Sequence, residues 1–75
     1  MITDLNCILI FKTNISTPKA KAKVLGLLDT YESIEQSTID LNDIDNVLRI
    51  VSDTLSAEQV IFIINASGFE CSELE

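Results

Sequence analysis

Seventy-five residues, 47% of them hydrophobic, suffice for one small domain over 1–75 and are too apolar for a disordered chain. The formal net charge of −7 argues against a nucleic-acid partner, because phosphate contacts dominate that kind of affinity. The longest uncharged apolar run, Val60 to Ile64, is far short of the ~20 residues that cross a bilayer, and Met1-Ile2-Thr3-Asp4 lacks a basic leader, so no membrane partner and a cytoplasmic location are expected.

Leu5 to Thr13 is rich in large and β-branched apolar residues and is too short for a helix before the Ser-Thr-Pro break, which predicts a strand. Alternation sends Leu9 and Phe11 towards the helices and Ile8 and Ile10 to the opposite face. Thr17 before Pro18 is a helix start, a hydroxyl N-cap followed by proline where the missing N–H costs nothing. The helix is expected to run to about Thr30, with Ala20, Val24, Leu27, Leu28 and Tyr31 as its buried stripe. Lys19 and Lys23 share its exposed side. Lys19 opposes the helix dipole by ~0.5 kcal/mol. Lys12, Lys19, Lys21 and Lys23 gather four of the five basic residues in one short span, a patch able to meet an acidic partner.

Ile34 to Leu41 is the second expected strand. Ile34 is out of phase with Ser37, Ile39 and Leu41 by one, which a bulge near Gln36 would restore. Asn42-Asp43-Ile44-Asp45 is turn chemistry. It does not fit a calcium loop, because Asp45 stands where glycine is needed and Val51 where the bidentate glutamate belongs. Asn46 to Val51 is the third strand. An exposed Arg49 sends Leu48 and Ile50 inward and leaves Val47 and Val51 on the outer face.

Ser56-Ala57-Glu58-Gln59 reads as a capping box, with Leu55 and Val60 at the staple positions. The second helix is expected to end near Ser67, with Gly68 as its C′ residue. Ala57, Val60, Ile61 and Ile64 form its buried stripe; Phe62 and Ile63 lie off it. Phe69 to Leu74 is the last strand, with Phe69 and Cys71 inward. The order βαββαβ with right-handed crossovers predicts an α+β, ferredoxin-like fold. Its four-stranded antiparallel sheet has order 4-1-3-2 and both helices on one face.

Within that order, several stretches resemble the heavy-metal-associated domain family, the fold of small copper chaperones and of the N-terminal modules of copper-transporting ATPases. Val24 with Leu27-Leu28 matches the family's first-helix core spacing. Ser33-Ile34 through Ile39-Asp40-Leu41 resembles its second strand, and Gly68-Phe69-Glu70-Cys71 resembles the lead-in to its last. The resemblance implies a metallochaperone-like fold whose first loop is the working site. Family members bind soft ions there through Met-x-Cys-x-x-Cys. In this chain the two cysteine positions fall on Ser16 and Lys19 when aligned from the first strand, or on Thr17 and Ala20 when aligned from the helix. Neither pair offers a thiolate. The fold and the loop position carry over; the metal chemistry does not.

The candidate binding loop is therefore Asn14, Ile15, Ser16, Thr17 and Lys19, with no metal ligand and no cofactor expected. Cys7 and Cys71 are the only thiols, placed near opposite ends of an antiparallel ladder and beyond the ~7 Å reach of a disulfide. They read as buried free cysteines. With no histidine and no nucleophile beside a base, no catalytic residue is expected. Asn14-Ile15-Ser16 and Asn65-Ala66-Ser67 fit the glycosylation pattern, which matters only in a secreted chain. Ile8, Ile10, Val47 and Val51 would cluster on the open sheet face, and Phe62 with Ile63 gives a second apolar patch. These residues form the candidate interface for a protein partner or for self-association. The leading expectation is a non-enzymatic binding module that works by protein contact. The alternatives are metal handling at an atypical site, with Cys71 and groups from a second subunit, and small-anion binding at the amides of Ser16 to Lys19.

Overall fold

The computed structural model describes residues 8–74. Its elements are β1 (Ile8–Thr13), α1 (Pro18–Leu28), β2 (Gln36–Asp40), β3 (Val47–Val51), α2 (Ala57–Ala66) and β4 (Cys71–Glu73). The strands form one antiparallel sheet in the order β2-β3-β1-β4. This is the ferredoxin-like topology expected, read from its other edge.

The pairing register fixes the faces. Leu9 stands opposite Ile50 and Phe11 opposite Leu48, while Ile39 also meets Leu48 across β2–β3. Phe11, Ile39, Leu48 and Ile50 therefore share one face, and they are buried with Val24 and Leu28 of α1 and Val60 and Ile64 of α2. Period two on the strands and period 3.6 on the helices thus bring their apolar sides into one core. Burying one such side chain contributes about 1.5–3 kcal/mol before conformational entropy is counted.

Local chemistry sets the helix ends. The Thr17 hydroxyl accepts from Ala20 N at 3.1 Å, with Pro18 in the first turn. The capping box of α2 is complete: Ser56 Oγ accepts from Gln59 N at 3.2 Å, and Gln59 Oε1 accepts from Ser56 N at 2.8 Å. At its far end Gly68 has φ +98°, Gly68 N donates to Asn65 O, and Phe69 N donates to Ile64 O. That is a Schellman motif, and Phe69 packs on the same core as Ile64.

Several expectations are refined. α1 ends at Leu28, two residues before the expected stop. Leu25 rather than Leu27 packs against the core beside Val24 and Leu28. Ile63 is half-buried against that core, so it belongs partly to the buried side of α2. The phase change before β2 lies where expected. Glu35 N donates to Val51 O at 2.8 Å while Gln36 is the ladder partner of Val51, so two residues stand against one. The first strand's expected residues 5–7, Cys7 included, lie outside the described residues.

Candidate functional site

The loop from Asn14 to Thr17 joins β1 to α1 and is held from two sides, by the Asp45–Asn46 turn at its start and by Glu70. Thr13 N donates to Asp45 O at 3.0 Å, and Thr13 Oγ1 donates to Asn46 O at 2.7 Å. The same oxygen accepts from Ile15 N at 3.2 Å. Asn14 and Glu70 clasp each other: Asn14 Oδ1 accepts from Glu70 N at 2.8 Å, Asn14 Nδ2 donates to Glu70 Oε2 at 3.2 Å, and Asn14 N donates to Glu70 O at 3.3 Å. The β2–β3 turn that meets Thr13 is itself shaped by Asx contacts, Asp40 Oδ1 to Asn42 N and Asp43 Oδ1 to Asp45 N, each 2.9 Å. It closes on Asn46 at φ +46°, a conformation that asparagine tolerates.

Of the five loop residues expected to bind something, Asn14, Ser16, Thr17 and Lys19 are exposed. Ile15 is a correction: it is fully buried in the core. An apolar side chain between two polar neighbours turns inward as the chain passes over the end of the sheet, so Ile15 anchors the loop and is not open to a ligand. Thr17 is occupied as the N-cap. The partners that hold the loop, Glu70, Asp45 and Asn46, are far away in sequence. The turn-forming type of Asp45 hinted at a role; nothing of the kind marked Glu70.

Cys71 reaches the same end of the sheet, as the ladder partner of Thr13. It lines a cavity of about 160 Å³ with Lys12, Thr13, Asn14, Glu70 and Ser72. Burial pushes its thiol up to about 11, which lowers the fraction present as thiolate, the form that ligates metals and attacks electrophiles. The described residues at this loop do not fit a soft monovalent ion. Ser16, Thr17, Lys19 and Ala20 supply hydroxyl, ammonium or methyl, and Cys71 supplies one sulfur. Among the described residues no cluster of three or more His, Cys, Asp or Glu is placed to hold a metal.

The outer sheet face is less apolar than expected. Val47 lies on it by alternation but is only 3% exposed, another correction. It sits on a central strand beside Asp40 of β2, just where the Asp45–Asn46 turn is bonded to Thr13, and these neighbours close around it. Ile8 and Val51, opposite each other in the ladder, are half-buried. Ile10 is 39% exposed, and Leu74 bonds beside it, its N–H donating to Ile10 O.

A larger apolar surface lies on the helical layer. Phe62 is 73% exposed on α2. On one side of it Tyr31, Leu55, Ser56, Glu58, Gln59 and Ile63 line an open cavity of about 450 Å³. On the other, Leu27, Tyr31, Ile63, Ala66 and Ser67 line one of about 360 Å³. Leu27 and Tyr31, expected in the buried stripe of α1, are half-buried and serve as the wall of these grooves. The i, i+4 pair Leu27–Tyr31 facing Phe62–Ile63 was the available signal.

No protein-family model matches the chain. No curated protein matches it either. Among solved structures it resembles the yeast copper transporter domain Ccc2a, determined in solution in the apo and Cu(I)-loaded states. The two share 18% identity and superpose with a TM-score of 0.78 over 91% of this chain and 94% of that one. The chain therefore shares its ferredoxin-like fold with that domain. No helix among the described residues is long and apolar enough to cross a membrane.

Proposed function

We propose that this domain is a non-enzymatic binding module on a metallochaperone-like scaffold, one that does not hold a soft ion at its first loop and acts by protein contact. The observation that carries this reading is the chemistry of that loop. Ile15 is spent on the core and Thr17 on the helix cap, and the remaining side chains are hard or cationic. A copper(I) site needs two polarisable thiolates, which the helix N-terminus then stabilises. Among the described residues the alternative metal reading has a single sulfur, that of Cys71, where a copper(I) site needs two.

The test is calorimetric titration with Cu(I) under reducing conditions. The expected result is no tight one-to-one binding at the β1–α1 loop. Tight stoichiometric binding that a Ser16→Ala, Thr17→Ala double variant removes would overturn the reading.

A further inference from the structure

The helical layer carries an exposed apolar surface, with Phe62 between two grooves. The two cavities flanking Phe62 share Tyr31 and Ile63 as a common wall. Along α2 their linings step from Leu55–Ile63 to Phe62–Ser67, about one helical turn, or roughly 5.4 Å. Two apolar side chains one turn apart on a ligand helix would seat on either side of the Phe62 ring, the geometry of helix-in-groove recognition.

Of the residues that line the two cavities the one charged side chain is acidic, and the nearest base in sequence, Lys23, is one turn before Leu27 at the far end of the second groove. Glu58 lines the larger cavity. Glu32 follows Tyr31 directly, Asp29 caps α1, and Asp53 precedes Leu55 by two; all four acids are exposed. The last turn of α1 has no basic residue to offset the negative end of its dipole. Arg49, the only base after Lys23, is on β3 with the opposite orientation to the buried Leu48 and Ile50, so it belongs to the far face of the sheet.

We propose that the Phe62 surface binds a cationic amphipathic helix of another protein, apolar side chains filling the two grooves and Lys or Arg meeting the acidic rim. A second copy of this chain fits poorly. A two-fold pairing across this surface would set one acidic rim, with Glu32 and Glu58, against the same acidic rim of the other copy. The chain's basic segment also lacks the anchors, since the exposed residues of α1 are Pro18, Lys19, Ala22, Lys23 and Gly26. The inference rests on the protein-contact half of the reading above. Its test is independent of the copper titration, so either can fail alone.

The probe is a synthetic helix of about 18 residues built from Leu and Lys with Leu at i, i+3 and i+4 spacing. Amide shifts of the full chain are followed during titration. Shifts centred on Tyr31, Leu55, Phe62 and Ile63 are expected, with affinity falling about tenfold or more in Phe62→Ala and a few-fold in the Glu32→Gln, Glu58→Gln pair. Phe62 is too exposed for its truncation to unfold the domain, which a melting curve checks. Four outcomes overturn the proposal: no shifts at all; shifts centred elsewhere; equal binding by Phe62→Ala or by a Leu and Glu helix; or shifts at Phe62 that track protein concentration without peptide, which would assign the surface to self-association.

Discussion

Cys71 shows how one side chain's setting decides its chemistry. It stands beside the first loop, where a soft-ion site would need sulfur, yet burial raises its thiol from 9.0 to about 11. The consequence for stability has a definite sign. Between pH 9.0 and about 11 the unfolded chain has released this proton and the folded chain retains it, so unfolding is favoured as pH rises. The stabilising contribution is whole below 9.0 and is lost by the time pH passes about 11. Urea midpoints of the parent and of Cys71→Ala, compared across that window, should diverge, the parent losing more. The comparison removes every contribution the two proteins share, and a constant difference would show that burial does not hold the proton. At this scale the sequence was only partly legible. The absence of thiolates in the loop could be read directly, because it is a matter of residue type. That Ile15 is core and that Val47 is covered could not, because both depend on what long-range neighbours close over them.

The elements are more legible than the residues because each carries its own punctuation. Thr17-Pro18, the Ser56–Gln59 box and Gly68 mark three helix ends, and all three are made as their side-chain chemistry dictates. The two glycines test how far that logic extends. Gly68 sits at φ +98° with nothing within 4 Å of an added Cβ, so the cost of Gly68→Ala is backbone strain alone, about 1–2 kcal/mol. Gly26 lies inside α1 with equally open space and no positive φ, so Gly26→Ala should stabilise by about 0.5–1 kcal/mol. Chemical denaturation of the two variants should therefore show shifts of opposite sign. Equal signs would mean that the end of α2 does not depend on a left-handed residue. The element that resisted reading was β2, where strict alternation breaks before Gln36. The break marks the point at which Glu35 doubles up against Val51, so a failed pattern located a real irregularity. Helix faces were harder, since Leu25 and Leu27 are two residues apart and small rotations of α1 choose between core and groove.

Charge acts on the whole molecule. Four of its five bases fall between Lys12 and Lys23, while eleven of the twelve acids lie from Asp29 onward with Arg49 alone among them. Such segregation leaves the short-range pairing that would offset a net −7 confined to one region, and the rest of the surface repels itself. The same field that disfavours a two-fold pairing across Phe62 therefore also weakens the folded state. Salt separates these two consequences. Raising ionic strength from about 10 mM to about 500 mM shortens the Debye length from ~30 Å to ~4 Å and screens both self-repulsion and attraction for a cationic helix. The thermal midpoint of the free domain should rise over that range, while its affinity for the Leu and Lys helix falls. The affinity should not vanish, because the grooves beside Phe62 contribute apolar burial that salt does not screen. A midpoint that fell with salt would mean that attraction between the lysine cluster and the acids outweighs repulsion among the acids. The domain would then be held by its charge asymmetry rather than strained by it.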